Sequence, residues 1–133
     1  METFILRTDS DPARASMVLS ALEAHCRAAG LDAQETYRLT CAAVEGFNNV
    51  IEHAYHGRPG QPVELRCNRT GAHITIELRD WGKCLSDMPD SVLPATDAEH
   101  GRGRFIMHQW LDAVEYERVD GCNRLRLIRH LPS

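Results

Sequence analysis

Residues 32–55 read DAQETYRLTCAAVEGFNNVIEHAY, and the reading of this stretch decides the fold. Asp32 is a side-chain cap and Glu35, three residues on, has the spacing of a capping-box partner, so a helix opens here. Apolar residues at Leu39, Val44, Phe47, Val50 and Ile51 give that helix one buried face, and it runs to about Tyr55. Gly57 and Pro59-Gly60 end it. Beside the buried face, Glu45, Asn49 and His53 stand at i, i+4 and i+8, which lines them along one stripe. A carboxylate there can take a proton from an attacking hydroxyl or water. An amide oxygen is a hard donor suited to magnesium, which keeps several waters and takes phosphate oxygens as its other ligands. The spacing of His53 suits a supporting hydrogen bond, though a satisfied histidine on the helix surface is the plainer reading.

Working outward, Ser10-Asp11-Pro12 opens an earlier helix, with a side-chain cap and a proline where its missing N–H is harmless. Ala13 to Ala29 carries Val18, Leu19 and Leu22, and Gly30 stops it. Thr3 to Thr8 reads as a short strand before it, with Phe4, Ile5 and Leu6 available for burial. On the other side, Val63–Cys67 and Ile74–Leu78 alternate apolar and polar residues around a turn at Thr70-Gly71. Gly82 to His100 has no clear period, and a loop of that length in a small domain is usually functional or disordered. A third helix, entered through glycines, is expected over Gly101–Trp110. Ala113–Val119 and Leu125–Ile128 form a closing hairpin through Asp120-Gly121, a type I′ signal. The expected fold class is α+β. It is a two-layer α/β sandwich whose mixed, mostly antiparallel sheet is covered on one face by three helices, in a single domain over residues 1–133.

Two further features carry chemistry. Asp80 ends the second inner strand and is followed by Trp81 and Gly82. An aspartate there can accept from an exocyclic amino group such as adenine offers, and a glycine lets the backbone come close to a base. Gly101-Arg102-Gly103-Arg104 opens the third helix with free N–H groups, a setting that favours anions, and the arginines add charge. The loop over about 83–100 is then a lid that folds over a nucleotide.

Bulk properties narrow the function. The 133 residues carry a net charge of −4, so no global basic field argues for nucleic acid. Arg118, Arg124, Arg126 and Arg129 are interleaved with acids and read as solvated strand faces. Five cysteines at wide spacing form no CxxC pair, which fits reduced thiols rather than zinc or redox chemistry. No apolar run reaches the ~20 residues of a membrane span. The first residues lack a signal-peptide core, so a cytoplasmic protein is expected.

The stretch Glu45-Gly46-Phe47-Asn48-Asn49-Val50-Ile51-Glu52-His53-Ala54-Tyr55 resembles the N box of the GHKL (Bergerat-fold) ATPases, most closely the anti-sigma-factor serine kinases of partner-switching systems. Leu78-Arg79-Asp80-Trp81-Gly82 resembles their DxGxG box, and His100-Gly101-Arg102-Gly103-Arg104-Phe105-Ile106-Met107 resembles their second glycine box. The resemblance covers nearly the whole chain. It implies ATP and Mg as cofactors and a role for each matched residue. Glu45 would activate a partner's serine hydroxyl, and Asn49 would bind the Mg ion. Asp80 would bond the adenine amino group, with Gly82 lining the base. Gly101 and Gly103 would cradle phosphates, with Arg102 beside them. It further implies an anti-sigma-factor antagonist as the phosphate acceptor, a sigma factor as a second partner, and a homodimer. Histidine kinases share the nucleotide fold but need a helical segment carrying the phospho-accepting histidine, for which this length leaves no room. Two positions depart from the pattern. Cys84 stands at the second glycine of DxGxG, and Asn123-Arg124 stand where a small hydroxyl residue is usual. The alternative function is a non-catalytic module that sequesters a sigma factor or another regulator.

Overall fold

The chain's structure, a computed structural model, describes residues 3–84 and 110–131. Strand β1 (Phe4–Asp9) leads into a single 3-10 turn (Pro12–Arg14) and helix α1 (Ala15–Ala28). The Asp11 carboxylate caps this start, accepting from the Ala13 N–H at 3.0 Å. Helix α2 (Ala33–Asn49) follows, and the Asp32 carboxylate accepts from the Glu35 N–H at 2.8 Å. The helix then widens into a π-helical turn (Val50–Ala54), a form in which the hydrogen bonds reach one residue further back. Strands β2 (Pro62–Thr70), β3 (His73–Asp80), β4 (Ala113–Val119) and β5 (Cys122–His130) complete the sheet.

The strand order is β1-β2-β3-β5-β4, and every pairing is antiparallel. The expected mixed sheet is thus a uniform one. The helical pair α1–α2 returns the chain beside β1 in the opposite sense, so β2 pairs with it antiparallel. The last hairpin inserts its second strand, β5, beside β3 and leaves β4 at the edge. Among the described residues two helices, α1 and α2, cover one face. The third expected helix, Gly101–Trp110, lies outside the described residues except for Trp110.

Alternation sorts the side chains. Leu65, Cys67, Ile76, Leu78 and Leu127 point into the core against Val18, Leu22 and Cys26 of α1 and Leu39, Ala43 and Phe47 of α2, all 0–1% exposed. Burial of a large apolar side chain on this scale is worth about 1.5–3 kcal/mol. Gly46 sets the separation of the layers. A Cβ there would lie 3.3 Å from Leu78 Cδ1 and from Leu125 Cδ2, so the helix is pressed onto the sheet at that point. In β1, Phe4 and Leu6 pack against this core, while Ile5 turns outward and is 42% exposed, as strand alternation requires.

The opposite face of the sheet carries charge. Glu64 and Glu77 are buried there beneath arginines. Arg7 and Arg66 bond Glu64, both at 3.1 Å, and Arg79 and Arg126 bond Glu77. Burial alone would raise the Glu77 carboxyl, but its two guanidinium partners hold it below the usual glutamate range. The late arginines are therefore not simply solvated: Arg126 joins Glu77 to Glu117, and Arg129 reaches Glu35. Glu35 departs from the expected capping box for this reason. Its carboxylate takes two bonds from Arg129, at 2.9 and 3.0 Å, tying β5 to the first turn of α2. Arg129→Ala leaves a buried carboxylate short of its main partner. It is expected to lower unfolding stability by about 2 kcal/mol, read as a shift in the urea midpoint at unchanged m-value.

Candidate functional site

Helix α2 carries Glu45 and Asn49 one turn apart, both half-buried, above the fully buried Gly46 and Phe47. This part of the helix is regular, so the i, i+4 relation read from the sequence holds. His53 is half-buried and falls in the π-helical turn. Asp80, the last residue of β3, is 2% exposed. It lies between Val63 of β2 and Asn123 of β5 in the strand register.

Three contacts bring the end of the long helix onto the turn that follows Asp80. The Lys83 N–H donates to Ala54 O at 2.9 Å. The Tyr55 hydroxyl accepts from the Trp81 N–H at 2.8 Å and donates to Pro62 O at 2.6 Å. Gly82 packs so tightly that a Cβ would lie 2.4 Å from Ala54 O. The close approach that Gly82 permits is therefore to the chain's own helix end. A side chain has no room there, whatever else the turn contacts.

Asp80 is held by its neighbours. Its Oδ1 accepts from Asn123 Nδ2 at 2.7 Å and from the Gly82 N–H at 3.0 Å. Burial raises the Asp80 carboxyl, and the Asn123 and Gly82 hydrogen bonds together with the Arg118 charge pull it back. The result is a buried acceptor fixed through one oxygen. Cys84 is buried just beyond, and the ring of Trp81 stands 47% exposed on the turn.

The sequence reading brought together Glu45 with Asn49, and Asp80 with Gly82, and the helix end joins the two pairs through Ala54 and Tyr55. Gly101, Arg102 and Gly103, and most of the 83–100 lid, lie outside the described residues. Two cavities, about 310 Å³ over the charged sheet face and about 480 Å³ between α1 and α2, are lined by other residues. Tyr55 and Asn123 were not read as site residues. Asn123 was noticed only as a departure from a pattern, and its role follows from the β3–β5 register.

The donor set suits Mg²⁺ bound through phosphates. No cluster of three acidic, histidine or cysteine ligands stands among the described residues, but magnesium needs only one or two protein oxygens beside phosphate and water, and the Asn49 amide has one of the right type. Buried Asp80 likewise suits an amino group in the plane of a base. Gly82→Ala forces Cβ into the Ala54 carbonyl and is expected to cost about 1–3 kcal/mol in stability. Thermal unfolding would register this as a lower midpoint, whereas the same change at Gly57, where a Cβ meets nothing within 4 Å, carries only the strain of its positive φ.

The model of the histidine kinase-like ATPase domain matches residues 8–129. The chain is 30% identical over 101 residues to the serine/threonine-protein kinase BtrW of Bordetella bronchiseptica, covering 71% of this chain and 70% of that one. It is 26% identical over 106 residues to the anti-sigma F factor of a Thermoanaerobacter species, covering 75% and 73%. Its fold matches the crystal structure of the RsbU and RsbW domains of a Mycobacterium tuberculosis protein with a TM-score of 0.71 at 14% identity. That match takes in 98% of this chain and 33% of the solved one, so this chain spans about a third of it. With the family's pattern running from the first strand to the last, and a buried aspartate joined to the helix of Glu45 and Asn49, the chain belongs to the histidine kinase-like ATPase domain family.

Proposed function

We propose that the chain is an ATP-dependent serine protein kinase and anti-sigma-type regulator, which phosphorylates an anti-sigma-factor antagonist in a partner switch. One observation carries this reading: buried Asp80, its Oδ1 held by Asn123 and the Gly82 N–H, opens a turn that is bonded to the end of the helix that bears Glu45 and Asn49. The relatives named a serine/threonine-protein kinase and an anti-sigma F factor support it.

Bound ATP supplies the phosphoryl group, and its Mg²⁺ screens the phosphate charge. The protein's task is then placement and neutralisation. The Asp80 carboxylate would accept from the adenine amino group. The Asn49 amide oxygen would hold the metal. Gly101 and Gly103 offer N–H groups to the phosphates, with Arg102 adding charge. Glu45 would take the proton from the acceptor's serine hydroxyl as its oxygen attacks the γ-phosphorus of ATP, while the bond from that phosphorus to the bridging oxygen breaks and ADP leaves. The protein works as a cytoplasmic homodimer that exchanges the antagonist for a sigma factor. No helix among the described residues is long and apolar enough to cross a membrane.

A second reading, a sequestering module without catalysis, is favoured by Asn123, which already gives Asp80 the kind of N–H that a ligand would give. Calorimetry separates the two. The kinase reading expects MgATP to bind with micromolar affinity or better, about −8 kcal/mol. Asn49→Ala should weaken that binding at least tenfold. Glu45→Ala should keep the affinity yet slow phosphate transfer to the co-purifying antagonist by about 10²–10⁴-fold. No MgATP binding by the wild type, or undiminished transfer by Glu45→Ala, contradicts the kinase reading.

A further inference from the structure

The end of β5 holds a side chain with no slack. Asn123 is 0% exposed, and every polar atom of its amide is engaged. Its Nδ2 donates to Asp80 Oδ1 at 2.7 Å, to Lys83 O at 3.1 Å and to Gly82 O at 3.2 Å. Its Oδ1 accepts from Arg118 Nη1 at 3.0 Å, and the same nitrogen donates to Gly82 O at 3.1 Å. One amide thus ties together the aspartate, the two carbonyls after it and an arginine from the edge strand. A short hydroxyl side chain has one donor and could not make these bonds at once.

We infer that Asn123, seated by Arg118, is a positioning residue of the nucleotide site that fixes the Asp80 carboxylate and the backbone of residues 82–83. This rests on the nucleotide reading above and deepens it. Asn123 does not itself touch the base. It fills one carboxylate oxygen and so orients the carboxylate, and its hydrogen bond opposes the rise that burial imposes on the Asp80 carboxyl. Arg118 serves the same end from the surface, by charge and by orienting the Asn123 amide.

The other groups around Asp80 do not duplicate this. From the helix end comes the Tyr55 hydroxyl, committed to Pro62 O and the Trp81 N–H. From β2 comes apolar Val63. From the β4–β5 hairpin come Asn123, Arg118 and Cys122, whose Sγ lies 3.7 Å from Asn123 O. In its own turn the Gly82 N–H is the second donor. Arg118 is the positive charge that acts on Asp80.

A hydrogen-bond donor to a carboxylate favours the ionised form, so its removal raises the carboxyl. Ionised Asp80 is the form that accepts from an amino group. Loss of Asn123 or Arg118 therefore moves the acid-side loss of ATP binding to higher pH. The test is MgATP affinity by calorimetry from pH 5 to 8 for wild type, Asn123→Ala and Arg118→Ala. The titration of ATP's own phosphates is common to all three and cancels in the comparison. Asn123→Ala is expected to bind at least tenfold more weakly at pH 7.5 and to shift the acid limb up by about one pH unit. Arg118→Ala, at an exposed position, is expected to fold as wild type and to shift the limb the same way by less. If Asn123→Ala does not fold, Arg118→Ala decides. Folded variants with the wild-type acid limb overturn the positioning role while leaving the nucleotide reading intact. A wild type that does not bind MgATP overturns the nucleotide reading itself.

Discussion

A buried carboxylate constrains this molecule more than any other group. Asp80 sits at the end of the central strand with almost no access to water, where an ionised group is costly unless it is hydrogen-bonded. The surrounding structure answers that cost. The neighbouring strand supplies an amide, the following turn supplies an N–H, and the edge strand supplies a positive charge. Each needs the others in place. The amide reaches only because β5 lies beside β3, and the N–H reaches only because Gly82 can sit against the helix end.

The same constraint links the two layers. The long helix ends over the turn that follows Asp80, through the Ala54 carbonyl and the Tyr55 hydroxyl. The π-helical turn lies between Asn49 and those contacts, and the extra residue per turn sets how the helix end meets the sheet. Gly46 fixes the spacing further back, over Leu78 and Leu125. Catalytic candidates on the helix and the binding candidate on the sheet are thereby held in one rigid frame. Such sites are more sharply defined when they are built on regular elements than on loops.

Much of this was legible in the residues, for local reasons. The Asp32 cap is a short-range hydrogen bond and forms as read. The Asp120-Gly121 turn needs two residues at positive φ, and they have φ of 52° and 78°. The Glu45–Asn49 pair needs only helical geometry. What escaped depends on contacts distant in sequence. Glu35 carries a capping-box signature, yet Arg129, 94 residues away, claims its carboxylate. β5 was read short because Asn123 and Arg124 do not alternate as apolar residues do, though Asn123 faces the buried Asp80. The role of Asn123 follows only once β5 is known to lie inside the sheet, beside β3, rather than at its edge. Tyr55 has the place of a last helical residue, and nothing local announces that its hydroxyl joins the start of β2 to the turn after β3.

Amide chemical-shift mapping during an MgATP titration tests the central claim most directly. If the frame around Asp80 is the nucleotide site, the Gly82 backbone amide, the Asn123 side-chain amide and the Asn49 side-chain amide shift together along one saturable curve. Shifts confined to the charged sheet face around Arg66 and Arg79, with those three signals unmoved, would contradict it.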